Sequence, residues 1–550
     1  MEDKESNVGG ILVSHEHVAV NEGTGVTESA PGAKAKVVHN AELYAAVHET
    51  KINYKSKESL HLYFSVFIAF CCACANGYDG SLLTGIIAME HFQNTFHSGK
   101  TGTLVALMFS LYTVGAMVGS PFAAILSDRF GRRIGMFWGG VVIIVGMVIV
   151  STSSTIAQFI VGRFILGLGI SIMTVAAPAY AVEISPPHWR GRTTGFYNCG
   201  WFGGSIPAAA VVYGCNQIDN DYSWRIPLIV QALACVVVIS AVWFIPESPR
   251  FLMANGREEE AVAFLTKYHG NGNPKSRLVQ LEVEEMKEGI RQDGIDKRPW
   301  DYRPFVLTHS GRWRIAQVLM ISIFGQFSGN GLGYFNTTIF EIIGVVSVEK
   351  QLAYNLLNSV LSAVGALAAV SLTDTMPRRK VLIFGTFACA AALATNSGLS
   401  AALDAQGENI QDSYAKGALA VRSYFLFNII FSFTYTPLQG VIPTEALETT
   451  TRAKGLAFSS VIVNAMGFIN QFAGPIALGN IEYKYIYVFV GWDVIEAILW
   501  YFFGVESQGR TLEQLEWVYN QKSPVKASLQ VDKVIIQADG KVTEKVDTSN

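Results

Sequence analysis

Charge is scarce in this chain. Lys, Arg, Asp and Glu make up 15% of its 550 residues, where soluble domains carry about 25%. That shortage argues against a water-soluble globule, and a net charge of −3 gives no basis for nucleic-acid binding. Cysteine is sparse as well. Cys71, Cys72, Cys74, Cys199, Cys215, Cys235 and Cys389 show no CxxC…CxxC spacing, and nearly all fall in apolar runs. They read as small packing residues, neither a disulfide framework nor a metal site. No nucleophile–His–acid set is visible, so an enzyme reading has no support, and no cofactor is expected beyond a coupling proton. Residues 1–58 contain no apolar core like that of a cleavable signal, so the first apolar run must itself direct insertion.

Apolar residues are what the chain has in excess: 50% of the total, with a mean hydropathy of +0.30. A run of about 20 apolar residues crosses a bilayer. About twelve such runs fall near 61–83, 103–126, 135–153, 157–181, 194–214, 225–245, 314–338, 352–373, 380–400, 418–442, 454–477 and 483–504. The expected fold is an all-α membrane protein of twelve transmembrane helices. Lys and Arg cluster in the even-numbered connections, as "DRFGRR", "RGR", "PRRK" and "RAK". By the positive-inside rule these connections and both termini are expected in the cytoplasm.

The runs divide six and six. The expected order is an N-terminal tail (1–58), a six-helix bundle (59–245), a charged linker (246–312), a second bundle (313–505) and a C-terminal tail (506–550). In the linker, Ala261, Phe264 and Leu265, then Val279, Leu281, Met286 and Ile290, recur at helical spacing. Short amphipathic helices are expected there. "DRFGRR" after the second run is echoed by "DTMPRR" after the eighth, and "EISPPHWRGR" after the fourth by "EALETTTRAKG" after the tenth. Duplicated bundles of this kind suit alternating access, with the cargo held near the midplane between them. The acids and arginines of these turns are expected to pair across the two halves as a cytoplasmic gate: Asp128, Arg129, Arg132, Glu183, Arg190, Glu247, Arg250, Asp374, Arg378, Glu445 and Arg452. Exposed pairs contribute only about 0–1 kcal/mol each, so only a network could bias a switch. A simpler reading gives the arginines a purely topological role.

Two ionisable residues stand out inside apolar runs, Asp79 in the first and Arg163 in the fourth. Intramembrane charges are costly and usually face a bundle interior or cavity. An acid held by an arginine until a proton competes would suit a proton-coupled carrier; a static bridge is the alternative. The seventh run contains "GQFSGNGLGYFNTT". Unpaired amides in hydrocarbon cost roughly 2–7 kcal/mol, so this stretch should face a partner or a wet cavity. Gln326, Asn330 and Tyr334 share one face if the helix is continuous, and the glycines would let it bend or break. Amides that donate and accept suit sugar hydroxyls, and Tyr334 and Phe335 could stack on a sugar ring. The runs offer no Arg/Lys cluster for an anion. Asn198, Gln439 and Asn464 lie at similar depth, which puts sugar-type hydrogen bonding in both halves. A structural polar seam is the alternative. "NTT" at Asn336 matches the glycosylation pattern but lies too near the seventh run to be reached easily.

Several motifs together resemble the sugar porter family of the major facilitator superfamily over about residues 60–520. They are "GYD" at 77–79, "DRFGRR", "GR" at 162–163, Glu183 with "RGR", "PESPR" at 246–250 and "ESQGRTL" at 506–512. Within that family "CANGYDGSLLTGII", "FYNCGWFGGSIPAA" and "FGQFSGNGLGYFNTT" look most like fungal cellodextrin transporters and the related lactose permeases. The resemblance implies a major facilitator fold that acts as a monomer in the plasma membrane. It implies import of cellobiose, cellotriose and longer β-1,4-glucans, with lactose as a further candidate, and proton symport through Asp79 and Arg163. Departures from the monosaccharide members concern the cavity wall. A double glutamine becomes Gly325-Gln326, a tryptophan five residues before Glu445 becomes Gly440, and a glutamine of the fifth run becomes Asn198. Each change shortens a side chain and widens the site. The alternatives are a sensor of cellobiose or lactose that signals through its tails, and a proton-independent disaccharide facilitator.

Overall fold

The computed structural model describes residues 55–187, 190–295, 303–372, 376–404, 410–447, 452–508, 512–530, 533–536 and 542–546. Most of the tail expected over 1–58 lies outside them. Apolar runs with few breakers become long helices. The N-terminal half contributes Lys57–Ile86, Thr103–Phe130, Arg132–Ser151, Ile156–Glu183, Arg190–Cys215 and the pair Tyr222–Val230 and Ala232–Ala241 as spans 1 to 6. The C-terminal half contributes a segmented span 7 (His309–Phe327, Asn330–Gly333 and Asn336–Ile342), then Val348–Leu372, Arg378–Asp404, the pair Ile410–Thr434 and Leu438–Ala446, Arg452–Ile481 and Lys484–Phe503 as spans 8 to 12. Among the described residues, ten helices are long and apolar enough to cross a membrane. Span 5 and the broken span 7 complete the twelve, and both are rich in polar residues and glycine.

Local chemistry sets the ends. Ser56 caps span 1 by accepting from the Ser59 N–H at 3.1 Å, and Thr308 caps span 7 by accepting from Gly311 at 2.9 Å. Spans 2 and 3 meet at Gly131, whose φ of +105° favours glycine and turns the chain within one residue. Two helix crossings depend on glycine for closeness. A Cβ on Gly204 of span 5 would lie 1.9 Å from the Cys74 carbonyl oxygen of span 1. A Cβ on Gly167 of span 4 would lie 1.9 Å from the Tyr112 carbonyl oxygen of span 2.

The halves pack through spans 2 and 11 and through spans 5 and 8. On the side of the odd-numbered connections they are tied together directly. Lys100 pairs with Glu341 at 2.7 Å, Thr337 donates to the Thr84 carbonyl at 2.8 Å, and the Gly102 N–H donates to the Pro475 carbonyl at 3.2 Å.

The linker forms helices Pro249–Ala254, Glu258–Tyr268, Arg277–Ile295 and Arg303–Leu307. Ala261, Phe264, Leu265, Val279 and Met286 are buried, and Leu281 and Ile290 half-buried. His269 fastens this layer to span 4: its Nδ1 lies 2.6 Å from the Glu282 carboxylate and its Nε2 3.1 Å from the Ile184 carbonyl. Both partners are acceptors, so both are satisfied only by an imidazolium donating from each nitrogen, or by a neutral Glu282. The segment after span 12 is more than a polar tail. Helices Leu512–Asn520 and Pro524–Leu529 fold back so that Leu515, Val518, Tyr519 and Val525 share a core with Phe305, Val318 and Leu447. Lys533–Ile536 and Val542–Val546 pair as an antiparallel hairpin.

The crossing at Gly204 gives a test. Gly204→Ala should destabilise the protein by about 1–3 kcal/mol, because backbone must move to admit the methyl. Gly214→Ala, where a Cβ meets nothing within 4 Å, should leave the thermal midpoint unchanged or slightly raised. Fluorescence-detected unfolding of the two purified variants would check this.

Candidate functional site: a neutral cavity between two bundles

Span 7 breaks where its glycines and hydroxyls concentrate. The helix ends at Phe327, and Ser328 turns its hydroxyl back onto the Phe324 carbonyl at 2.8 Å. Gly329 then adopts φ +96°, and a Cβ there would meet the Phe427 ring at 2.4 Å. This corrects the single-face expectation: Gln326 precedes the break, while Asn330 and Tyr334 follow it. The break is bridged by side chains instead, since Asn330 donates to the Gln326 carboxamide oxygen at 3.1 Å.

Beside this break lies a cavity of about 390 Å³. The N-terminal half lines it with Asn76, Phe109, Tyr112, Thr113, Ser120, Ser171, Thr174 and Trp201. The C-terminal half supplies Gln326, Tyr334, Ser460, Asn464 and Gln471. Thr113 donates to the Gln471 carboxamide oxygen at 2.5 Å, joining the halves across the cavity. Ser460 lies about two turns in from the start of span 11, so the cavity reaches toward the even-numbered connections. The opposite side carries the ties described above. Amides, hydroxyls and aromatic rings share the lining with Ala116, Ile170, Val175 and Val463; among the described residues its one charged member is Arg163.

That arginine is engaged. Its Nη1 donates to Asp79 Oδ1 at 2.9 Å, its Nε donates to the Met108 carbonyl at 3.3 Å, and its guanidinium lies 4.7 Å from the Tyr112 ring centroid. Asp79 is fully buried. Its Oδ1 also accepts from Gln231 at 2.8 Å, while Oδ2 has no partner. Gln231 sits where span 6 is interrupted, and the sequence reading gave it no role.

The other candidates divide. Gln326, Tyr334 and Asn464 line the cavity. Phe335 does not: it is 1% exposed and packs on Phe109 at 4.9 Å and against Gly474, so it belongs to the core. Gln439 donates to the Gly325 carbonyl at 3.1 Å and joins span 10 to span 7. Asn198 points toward Gly440, where a Cβ would lie 3.7 Å from its Nδ2. Asn470, Asn336 and Asn355 are buried structural amides: Asn470 donates to the Gln326 carbonyl at 2.8 Å, and Asn336 donates to Asn355 at 3.0 Å. Trp201, Asn76 and Thr113 went unnoticed as cavity residues because nothing in their local spacing separates them from packing residues.

The charged turns form two matching stations. Arg132 pairs bidentately with Glu183 at 3.0 and 3.1 Å, and Ser248 donates to the same carboxylate at 2.5 Å. Arg378 pairs with Glu445 at 3.1 Å, and Ser507 donates to that carboxylate at 2.5 Å. Glu506 accepts from the backbone of Arg378 and Arg379 at 2.9 and 3.1 Å. Its counterpart Glu247 accepts from the Ser248 N–H at 2.9 Å. Burial pushes the Glu247 carboxyl above its usual range, opposed by the backbone N–H groups of Ser248 and Arg133. Asp128 reaches Arg132 at 3.3 Å, Arg190 reaches Glu282 and Glu285 at 3.4 and 3.6 Å, and Arg129 and Arg250 are exposed. Asp374 and the Arg452 side chain lie outside the described residues. Among the described residues, each of these resolved pairs stays within one bundle or joins the N-terminal bundle to the linker. The pairing across the halves is expected only when the even-numbered side is shut; in this conformation, with the cavity reaching toward that side, the stations brace each bundle from within.

The sequence reading also missed two acids. Asp493 and Glu496 of span 12 are both 0% exposed. "GWDVIEAILW" displays them openly, an i, i+3 pair in an apolar run.

With the geometry in view, comparison with known proteins places the chain. The family described as "Sugar (and other) transporter" matches residues 65–519. The chain belongs to this family. Similar curated proteins include the MFS-type transporter criB of Aspergillus cristatus, 28% identical over 82% of this chain and 92% of that protein. The high-affinity glucose transporter of Kluyveromyces lactis is 29% identical over 84% and 86%, and hexose transporter 2 of the same yeast 26% over 81% and 80%. Among solved structures, the proton:xylose symporter XylE with bound 6-bromo-6-deoxy-D-glucose superposes with a TM-score of 0.68 at 21% identity, covering 84% of this chain and 100% of that one. A partially occluded inward-open form of the E. coli xylose transporter gives 0.69 at 20%, covering 82% and 100%. The fold is that of the major facilitator superfamily, and the chain is a sugar transporter of alternating access and not an enzyme. The expected closeness to cellodextrin transporters is not seen among these relatives, several of which are hexose transporters.

Within this transporter, Gln326→Ala or Asn464→Ala should each weaken sugar binding about 3- to 10-fold, the loss of one neutral hydrogen bond. Gln439→Ala, outside the cavity lining, should leave the dissociation constant near wild type. Calorimetric titration of the purified variants reads both.

Proposed function

We propose that this transporter imports β-linked glucose oligosaccharides of the cellobiose class across the plasma membrane, with a proton entering alongside. The even-numbered connections and both termini then face the cytoplasm, and the monomer is the working unit. The observation that carries the reading is the neutral cavity with a buried acid at its edge. Its amides and hydroxyls come from both bundles, so cargo bound there is released when the bundles rock. Trp201 and Tyr334 offer rings to the apolar faces of sugars.

Outside the cavity lining, the small residues Gly440 of span 10 and Asn198 of span 5, which face each other between the halves, support a cargo longer than one hexose. No side chain projects at Gly440, and Asn198 opposite is short. Lactose is of the same size class. The hexose transporters among the relatives favour a single hexose as the second reading, so the two cargoes must be compared directly.

For the proton, Asp79 supports coupling because its charge is held by Arg163 and Gln231 while Oδ2 stays free. Protonation of Asp79 would release Arg163 toward the cavity lining, so acid and cargo compete for one network. The test is uptake of labelled cellobiose into cells lacking other sugar carriers, with external pH recorded and glucose run in parallel. Cellobiose entry with external alkalinisation, abolished by a protonophore, is the expected result. Asp79→Asn should lose accumulation against a gradient while retaining exchange. Glucose entry without cellobiose entry would move the assignment to hexoses. Binding without entry would move it to a sensor. Normal accumulation by Asp79→Asn would remove the coupling role.

A further inference from the structure

We propose that Asp493 and Glu496 form a proton-binding site in the C-terminal bundle that sets the hydrogen bonding of the break in span 7. This does not rest on the cargo proposed above or on the role of Asp79. Both acids are fully buried in span 12. Among the described residues no Lys, Arg or His pairs with either. Asp493 has no hydrogen-bond partner on either oxygen, and Glu496 none on Oε1. Two carboxylates one helical turn apart repel each other, and among the described residues no cation offsets their desolvation. The neutral acids are therefore the stable occupants of this site.

The facing groups are few. Span 7 supplies Ser328, whose hydroxyl contacts Glu496 Oε2. Span 10 supplies Tyr435, which reaches the same oxygen at 3.2 Å and lies 2.7 Å from Thr386 of span 9. Cys389 of span 9 lies beside both acids, and Trp492 of span 12 packs its ring on Phe327 at 5.9 Å.

Ser328 makes this more than a buried pair. It has one hydroxyl hydrogen and two neighbours that can accept it, the Phe324 carbonyl at 2.8 Å and Glu496. With Glu496 neutral, its O–H donates to Ser328 Oγ, and Ser328 donates onward to Phe324. With Glu496 ionised, the Ser328 hydrogen must turn to the carboxylate and leave Phe324. The proton on Glu496 thus sets the direction of the hydrogen bonds at the residue before Gly329, where span 7 breaks. The same break places Gln326 and Asn330.

Infrared spectroscopy of the purified full-length protein, titrated from acid to alkaline pH, tests this without any transport assay. Wild type should show the carbonyl stretch of a neutral, buried carboxylic acid at neutral pH. Asp493→Asn and Glu496→Gln mimic the neutral acids, so both variants should fold, and together they should remove that band. Ser328→Ala should keep the band but shift its frequency, because a partner of Glu496 is gone. A wild-type spectrum without the band, or a band that survives both substitutions, would overturn the site. A band unmoved by Ser328→Ala would overturn its link to span 7. Should the double variant not fold, the two single variants decide by the same criterion.

Discussion

A carboxylate in hydrocarbon must find a cation, a set of donors or a proton. The buried acids of this structure differ in which of these they have, and much of its organisation follows from that difference. Asp79 in the N-terminal bundle has a cation and a donor, Arg163 at 2.9 Å and Gln231 at 2.8 Å. Glu183 and Glu445, at the helix ends, have an arginine and a serine each. Among the described residues, Asp493 and Glu496 have no cation. The two bundles are repeats in shape and at their ends, but unlike in their buried charge. One bundle holds a charged pair that touches the cavity, and the other a pair of acids among spans 7, 9 and 10, outside the cavity lining.

The same constraint explains why span 7 cannot be a plain helix. Its amides would be orphaned against lipid, so it lies against the cavity on one side and the C-terminal bundle on the other. At the break Asn470 takes up the Gln326 carbonyl, and the Ser328 hydroxyl joins its own N–H on the Phe324 carbonyl. The result is a segment fixed by side-chain hydrogen bonds as well as by its helical ladder. Such a segment can change partners at a small free-energy difference, which a carrier needs from the element nearest its cargo.

Much of the architecture was legible because lipid imposes simple rules. Twelve runs could be placed to within several residues, since a span must be long and apolar. The charged turns could be placed because topology concentrates them on one side. The Asp79–Arg163 pairing was legible because both stand out in apolar context. The cavity was less so. Gln326, Tyr334 and Asn464 do line the cavity, but Phe335 beyond the break in span 7 packs into the core and Gln439 of span 10 bonds to the Gly325 carbonyl. Trp201 carries no signal of its own, since an aromatic in an apolar run looks like packing. Asp493 and Glu496 were legible in "GWDVIEAILW", but no base in the runs marks them as Arg163 marks Asp79.

The placement of the ion pairs fixes which conformation this is. On the odd-connection side, ties such as Lys100–Glu341 and Thr337–Thr84 join one half to the other. On the even-connection side, Arg132–Glu183 and Arg378–Glu445 each stay within a half, and the cavity extends toward that face. The second set therefore does not hold the halves together here; it keeps each bundle rigid while they move. Opening the other side requires the first ties to break, and each is a partly exposed pair or a single hydrogen bond worth about 0.5–1.5 kcal/mol. A seal built from several weak links can be undone by one cargo molecule that binds the two states with a few kcal/mol of difference. A seal made from one buried ion pair could not be undone so readily, which is reason enough for the strong pairs to lie inside the bundles and the weak ones between them.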